Sequence, residues 1–119
     1  MNKNCTPREL AVELCKRPRH RVSMAAVISD NYGIFAWGWN HAGCDGNGVH
    51  AEEHALSRAN PRRLHGATIT IAGIRHRKNG TGFVFSKPCE NRCARLIKKF
   101  GLKKIEFITK TREWKTIFL

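Results

Sequence analysis

His50, Glu52, Cys89 and Cys93 offer an imidazole, a carboxylate and two thiols, set in the runs His50-Ala51-Glu52 and Pro88-Cys89-Glu90-Asn91-Arg92-Cys93. These are the groups needed to hold one zinc ion and to move protons beside it. A zinc held by three protein groups keeps a fourth position for water and lowers the pKa of that water to about 7, so hydroxide is within reach near neutrality. The chemistry to expect is hydrolytic. Cys89 and Cys93 are separated by three residues. On a helix of 3.6 residues per turn, positions four apart differ by roughly 40° around the axis, so both thiols fall on one face.

The elements that must carry these groups follow from their neighbours. Cys89 to Ile97 and His50 to Leu56 both read as helix openings, so two helix N-termini are expected to meet at the metal. Pro88 suits the approach to a first helical turn. The partial positive charge of a helix N-terminus favours thiolate over thiol.

With H-A-E followed by P-C and a same-face second Cys, the chain resembles the zinc-dependent nucleobase deaminases of the cytidine/deoxycytidylate deaminase superfamily, whose signature is H-x-E followed by P-C-x-x-C. The resemblance runs from about Val22 to the C-terminus, with one departure, the longer Cys89–Cys93 gap. It implies His50, Cys89 and Cys93 as ligands of one Zn2+ per chain. It implies Glu52 as the general acid/base that takes a proton from the attacking water and passes it to the ring nitrogen and the leaving ammonia. It also implies an α/β, three-layer α-β-α cytidine-deaminase-like fold around a central five-stranded mixed sheet. The Ser86-Lys87-Pro88-Cys89 stretch with its preceding basic turn looks like a compact subgroup found in phages, larger viruses and fungi.

A chain of 119 residues is one domain by size, here a single deaminase domain over 1–119, with 1–21 supplying an N-terminal helix and a basic linker. Its apolar runs, such as Met24-Ala25-Ala26-Val27-Ile28, are far short of the roughly 20 residues that span a bilayer, and the N-terminus lacks a secretory pattern. A cytoplasmic protein without membrane association is expected. Five Cys without a signal peptide argue for metal binding or reduced thiols rather than a disulfide framework. His41-Ala42-Gly43-Cys44 could begin a second metal site, but no partner pair with ligand spacing is evident.

Lys and Arg number 22 against 9 Asp and Glu, a formal charge of +13. The cations cluster at 16–21, at Arg62-Arg63, at Arg75-His76-Arg77-Lys78 and at Lys98-Lys99 with Lys103-Lys104. In a small domain such a balance draws a large anion, and single-stranded nucleic acid is the expected partner.

Along the chain, Thr6-Pro7-Arg8-Glu9 predicts a capped helix start, with Pro18 closing that helix. Val22 to Ser29 and Ile34 to Trp39 predict a hairpin around Asp30-Asn31-Tyr32-Gly33. Asn40 to Val49 is a glycine-rich loop with Gly43, Gly46 and Gly48, and Pro61 should end the His50 helix. Strands are expected over Thr68–Ile74, Lys104–Thr109 and Trp114–Phe118, with a turn at Lys78-Asn79-Gly80 and a helix ending near Gly101. Only about five residues join the last two strands, too few for a parallel crossover, so they must pair antiparallel. Within the superfamily that ending looks like the cytidine-type enzymes.

Asn40 matches the family's asparagine that contacts sugar or base, and an amide can serve a ribose hydroxyl as donor and acceptor at once. Where free-cytidine deaminases usually carry a glutamate for the 3′-hydroxyl, this chain has Ala42. That fits a phosphorylated position, which a carboxylate would repel. Trp37, Trp39 and Trp114 are candidate stacking platforms, although Trp37 and Trp39 share a strand face and one of them should be core. The candidate substrate contacts are thus Asn40, Ala51, Trp39, Arg75 and Trp114.

The expected activity is conversion of cytosine to uracil with release of ammonia, in single-stranded DNA or RNA. A deaminase of free dCMP or cytidine is the alternative. A nucleic-acid-binding protein with structural zinc is disfavoured by Glu52, a carboxylate that a structural site does not need. Relatives often form dimers or tetramers, so a homo-oligomer is admitted.

Overall fold

The computed structural model describes residues 5–17, 20–42 and 48–119. Pro18 and Arg19, like Gly43, Cys44 and Gly46 of the glycine-rich loop, lie outside the described residues. The elements run α1 (Pro7–Cys15), β1 (Val22–Asp30), β2 (Gly33–Trp39), β3 (His41–Ala42), β4 (Gly48–Val49), α2 (Ala51–Arg58), α3 (Pro61–Leu64), β5 (Thr68–Arg77), β6 (Gly80–Phe83), α4 (Cys93–Lys99), β7 (Lys104–Ile108) and β8 (Trp114–Phe118).

The sheet has the order β2-β1-β5-β7-β8. Pairing is antiparallel throughout except between β5 and β7, and the last two strands run antiparallel as their short connection requires. The five expected strands are all present. A sixth, β6, pairs antiparallel with Ile74–Arg77 of β5, along the same edge whose first half pairs with β7. The sequence predicts no strand here, only a segment after a turn, because Gly80-Thr81-Gly82 has no apolar alternation. Within the loop expected at 40–49, β3 and β4 form a two-residue ribbon, His41 opposite Val49 and Ala42 opposite Gly48.

The sheet separates two apolar layers. On one face Leu10, Ala11, Leu14 and Cys15 of α1 pack with Val27, Ala72 and Ile108. On the other, Ala51, Ala55 and Leu56 of α2, Leu64 of α3 and Ile97 of α4 pack with Ile28, Ile69, Ile71 and Phe107. This is the three-layer α-β-α arrangement. α1 begins as its sequence dictates, with Thr6 accepting from Glu9 N at 3.1 Å and Glu9 accepting in return from Thr6 N.

Two helix boundaries differ from expectation. Pro61 opens α3 instead of ending α2, which stops at Arg58; Asn60 accepts from Arg62 N, so proline occupies a first turn where its missing N–H costs nothing. Cys89 does not open a helix, since α4 starts at Cys93. The backbone N–H of Cys93 donates to the Cys89 sulfur at 3.3 Å, and that of Ala94 to the Cys89 carbonyl at 2.9 Å. The five-residue step from Cys89 to Ala94 is wider than a helical turn, and it absorbs the extra residue between the thiols.

Seating α2 requires Gly38. An added Cβ there would lie 2.8 Å from the carbonyl oxygen of Ala51, against the amide nitrogen of Ala55 as well. Only glycine lets the first turn of α2 rest on β2 at this separation.

Candidate metal centre

His50 is the N-cap of α2 and Cys93 the first residue of α4, so two helix N-termini do converge, with Cys89 reaching in from the preceding turn. His50 Nδ1 lies 3.1 Å from Cys93 Sγ and 3.7 Å from Cys89 Sγ, and the three donor atoms all lie within 4.8 Å of one another. With zinc–nitrogen and zinc–sulfur bonds of about 2.0 and 2.3 Å, tetrahedral geometry separates N from S by about 3.6 Å. The donor set and its spacing therefore fit one zinc ion. Cys93 is buried and Cys89 exposed, which leaves the open side of the cluster toward Cys89.

Burial pushes the Cys93 thiol well above its ordinary range, with the charges of Glu52 and Cys89 adding to it. Such a thiol gives up its proton when a cation takes its place. Glu52 is 6% exposed, on the inner side of α2. Burial raises its carboxyl above the usual range, while the backbone, His50 and Cys93 pull the other way. A carboxyl raised in this way is suited to accept a proton and return it.

A second carboxylate organises the ligands. Glu53 Oε1 accepts from the backbone N–H of His50 at 2.9 Å, and Glu53 Oε2 accepts from Arg92 Nε at 2.7 Å. Arg92 also donates from Nη2 to the carbonyl of Gly48 at 2.9 Å. Although burial opposes it, the pairing with Arg92 and the bond from His50 hold Glu53 below the ordinary carboxylate range. Arg92 precedes Cys93, so this clamp ties the chain on either side of the centre. Sequence reasoning missed it; Glu53, three residues past an N-cap, has the capping-box spacing that could have revealed one half.

The predicted substrate contacts divide. Ala51 is in the core with its side chain, so it can present only backbone to a ligand. Trp39 is half-buried, its ring edge-on to His54 at 4.5 Å, one turn along α2 from His50. His54 also accepts the backbone N–H of Trp39 at Nδ1, 3.2 Å. Asn40 turns its amide onto β1, accepting from Met24 N and donating to Val22 O, both at 2.9 Å. In this structure the amide extends the sheet. Arg75 is exposed at the far end of β5, opposite Val22 and Gly82. Trp114 packs in the α1 layer beneath the Arg8 guanidinium, 5.2 Å from its ring centre, across the sheet from the metal ligands. Trp37 is half-buried against the same layer. Of the remaining cysteines, Cys5 and Cys15 are free thiols, and burial pushes Cys15 up to about 12.

The model of the cytidine and deoxycytidylate deaminase zinc-binding region matches residues 1–109. The chain belongs to this deaminase family. It is thus a zinc-binding domain of a hydrolytic deaminase family, with His50, Cys89 and Cys93 as its candidate zinc site. The deaminase fold is shared with a cytidine deaminase from Burkholderia pseudomallei, at a TM-score of 0.70 and 19% identity over 99% of this chain and 93% of that one. It is shared also with a dCMP deaminase from the cyanophage S-TIM5, at 0.64 and 21% over 88% and 81%. A cytidine deaminase from Mycobacterium leprae gives 0.53 and 18% over 92% and 88%. No curated protein matches the chain in sequence. Among the described residues, no helix is long and apolar enough to cross a membrane.

Proposed function

We propose that this deaminase hydrolyses cytosine to uracil in single-stranded DNA or RNA, releasing ammonia. The observation that carries the reading is the buried Glu52 carboxylate on the same helical turn as His50, facing the layer that holds Cys93. His50 Nδ1, Cys89 Sγ and Cys93 Sγ would hold the zinc. A zinc ion there supplies Lewis acidity that makes water nucleophilic near neutral pH. Glu52 takes a proton as water adds to the ring carbon and delivers it to the adjacent ring nitrogen; it then takes the proton of the new hydroxyl and passes it to the amino group, which leaves as ammonia as the carbonyl forms. The clamp of Glu53 and Arg92 keeps His50 and Cys93 in register.

The polynucleotide substrate is supported by three features. The chain carries a formal charge of +13. Ala42 is exposed on β3 and places no carboxylate where a 3′-phosphate would pass. The arginines and lysine at the end of β5 and after β7 are open to solvent.

Zinc-loaded protein offered single-stranded DNA, duplex DNA, RNA, dCMP and cytidine tests the reading. Uracil is expected in the single strands, and its appearance in dCMP or cytidine alone overturns the polynucleotide assignment. Glu52→Gln should keep its zinc and lose all turnover; retained turnover removes Glu52 from the mechanism.

A further inference from the structure

At the end of β5 remote from its pairing with the start of β7, a groove of about 720 Å³ opens along β6, lined by Arg75, Arg77, Phe83, Phe85 and Lys110 among others, with no acidic residue in its walls. We propose that this groove is the track along which a single-stranded polynucleotide crosses the protein, its phosphates on Arg75, Arg77 and Lys110 and a base stacked on Phe85. The proposal rests on the substrate reading above and names the surface that serves it.

Four observations carry it. First, none of the three cations has a carboxylate within ion-pair distance among the described residues, whereas Arg8, Arg63 and Arg92 all do. Their charge is unspent within the fold and open to an external anion. Second, Arg75 and Arg77 stand on one face of β5, ~6.7 Å apart by the strand repeat, a spacing that successive phosphates of an extended chain can follow.

Third, the residues across the ladder from these two arginines are glycines, Gly82 opposite Arg75 and Gly80 opposite Arg77. Gly80 needs its positive φ of 134° for the turn. Gly82 has no such need, and a Cβ there would meet nothing within 4 Å. Neither backbone strain nor packing explains the bare position, and glycine inside a strand weakens it. Close approach of a ligand to that backbone explains it.

Fourth, the groove leads to the metal. Phe85 is 54% exposed, with its edge held against Phe107 at 5.3 Å on the α2 and α4 side of the sheet. It stands four residues before Cys89, so at most roughly 14 Å of chain separates them. At its other wall, Arg75 faces Val22, whose carbonyl receives the Asn40 amide. Asn40 leads through the β3–β4 ribbon to His50. On this proposal a strand lying on β6 continues past Phe85 toward Cys89, the exposed member of the centre. Beyond β6 a second hollow, sharing Thr81, Gly82, Phe83 and Lys110 with the first, adds Arg112 to the cationic path.

The test uses zinc-loaded Glu52→Gln protein and a labelled single-stranded oligonucleotide of about 12 nucleotides, titrated between about 50 and 200 mM salt. Arg75→Gln with Arg77→Gln should weaken binding tenfold or more and reduce the slope of log affinity against log salt by about 1.4, two phosphate contacts' worth. Gly82→Leu should block the track by tenfold or more at unchanged charge, and Phe85→Ala should cost about fivefold or more. Arg62→Gln with Lys98→Gln, the same charge change away from the groove, should alter affinity less than twofold. Zinc content and unfolding midpoint confirm that each variant is folded. Equal losses from the two charge pairs, wild-type binding by Gly82→Leu, or displacement of the oligonucleotide by dCMP at equal phosphate would overturn the track. Groove-dependent binding without uracil formation by the wild type would instead remove the polynucleotide substrate and leave the surface standing. Uracil formation in oligonucleotides, with binding indifferent to the groove variants, would do the reverse.

Discussion

Gly38→Ala puts the positioning of the centre to a direct test. The new Cβ would lie 2.8 Å from Ala51 O and 2.9 Å from the backbone carbon of His54, and close against Ala55 N. All three are backbone atoms of α2, so no side-chain rotation can relieve the overlap. Restoring even a tight 3.4 Å contact to the nearest of these atoms moves α2 away from β2 by about 1 Å, or bends the strand by as much. Overpacking of this kind costs about 1–3 kcal/mol. The same shift carries Glu52, and His50 at the helix N-cap, away from Cys89 and Cys93. Displacements approaching 1 Å at reacting groups cost on the order of a hundredfold in rate. Urea unfolding of the variant should therefore show a lower midpoint, and deamination should fall by at least about tenfold under the same geometric argument. Gly82→Ala is the control for stability, because its Cβ meets nothing within 4 Å and its midpoint should be unchanged or higher. If Gly38→Ala unfolds at the wild-type midpoint and turns over at the wild-type rate, α2 is not seated by this contact.

Arg92→Ala should lower zinc affinity about tenfold to a hundredfold in competition with a chromophoric chelator, since groups that orient ligands have effects of that size; Arg92→Lys, which keeps charge but not the two-pronged geometry, should fall between. Zinc uptake should release the Cys93 proton and weaken as pH falls, because burial holds that thiol protonated in the metal-free protein; calorimetry in buffers of different ionisation enthalpy measures the release. His54 is held below its ordinary pKa by burial first, then by the charges of His41 and Arg58. The unfolded chain therefore binds the extra proton first, and stability should be full above about pH 6.5 and decline as pH falls below it. His54→Gln, whose side-chain oxygen can still accept from Trp39 N, should lack that decline. Equal pH profiles for the two proteins would remove His54 from this role.

The parts of the fold legible in the sequence are those fixed by local chemistry. The Thr6–Glu9 capping box, the turn at Asp30-Asn31-Tyr32-Gly33 and the short link before β8 each encode their geometry within a few residues, and each appears where expected. The candidate zinc ligands are legible for a related reason, as few chemistries require an imidazole, two thiols and a carboxylate in that order. What stayed hidden depends on partners far along the chain. β6 becomes a strand because Ile74–Arg77 of β5 offers it an edge, not because Gly80-Thr81-Gly82 favours extension. Asn40 announces an amide, but which groups the amide meets is decided by the position of Val22 and Met24 in β1.

The gap between Cys89 and Cys93 joins these two kinds of information. Helical geometry predicts that a spacing of four keeps both thiols on one face, and they do converge on His50, yet without a helix between them. The chain instead makes a wider turn, in which the Cys89 sulfur and carbonyl take the first two amides of α4. That turn brings Arg92 to the helix N-cap, where its guanidinium reaches both Glu53 and the Gly48 carbonyl. The extra residue is therefore coupled to a clamp across the centre. Deleting Asn91 to restore a two-residue gap should disturb the Arg92 contacts along with the thiols, and weaken zinc binding instead of strengthening it; tighter binding in the deletion variant would show that the wider turn contributes nothing to holding the metal.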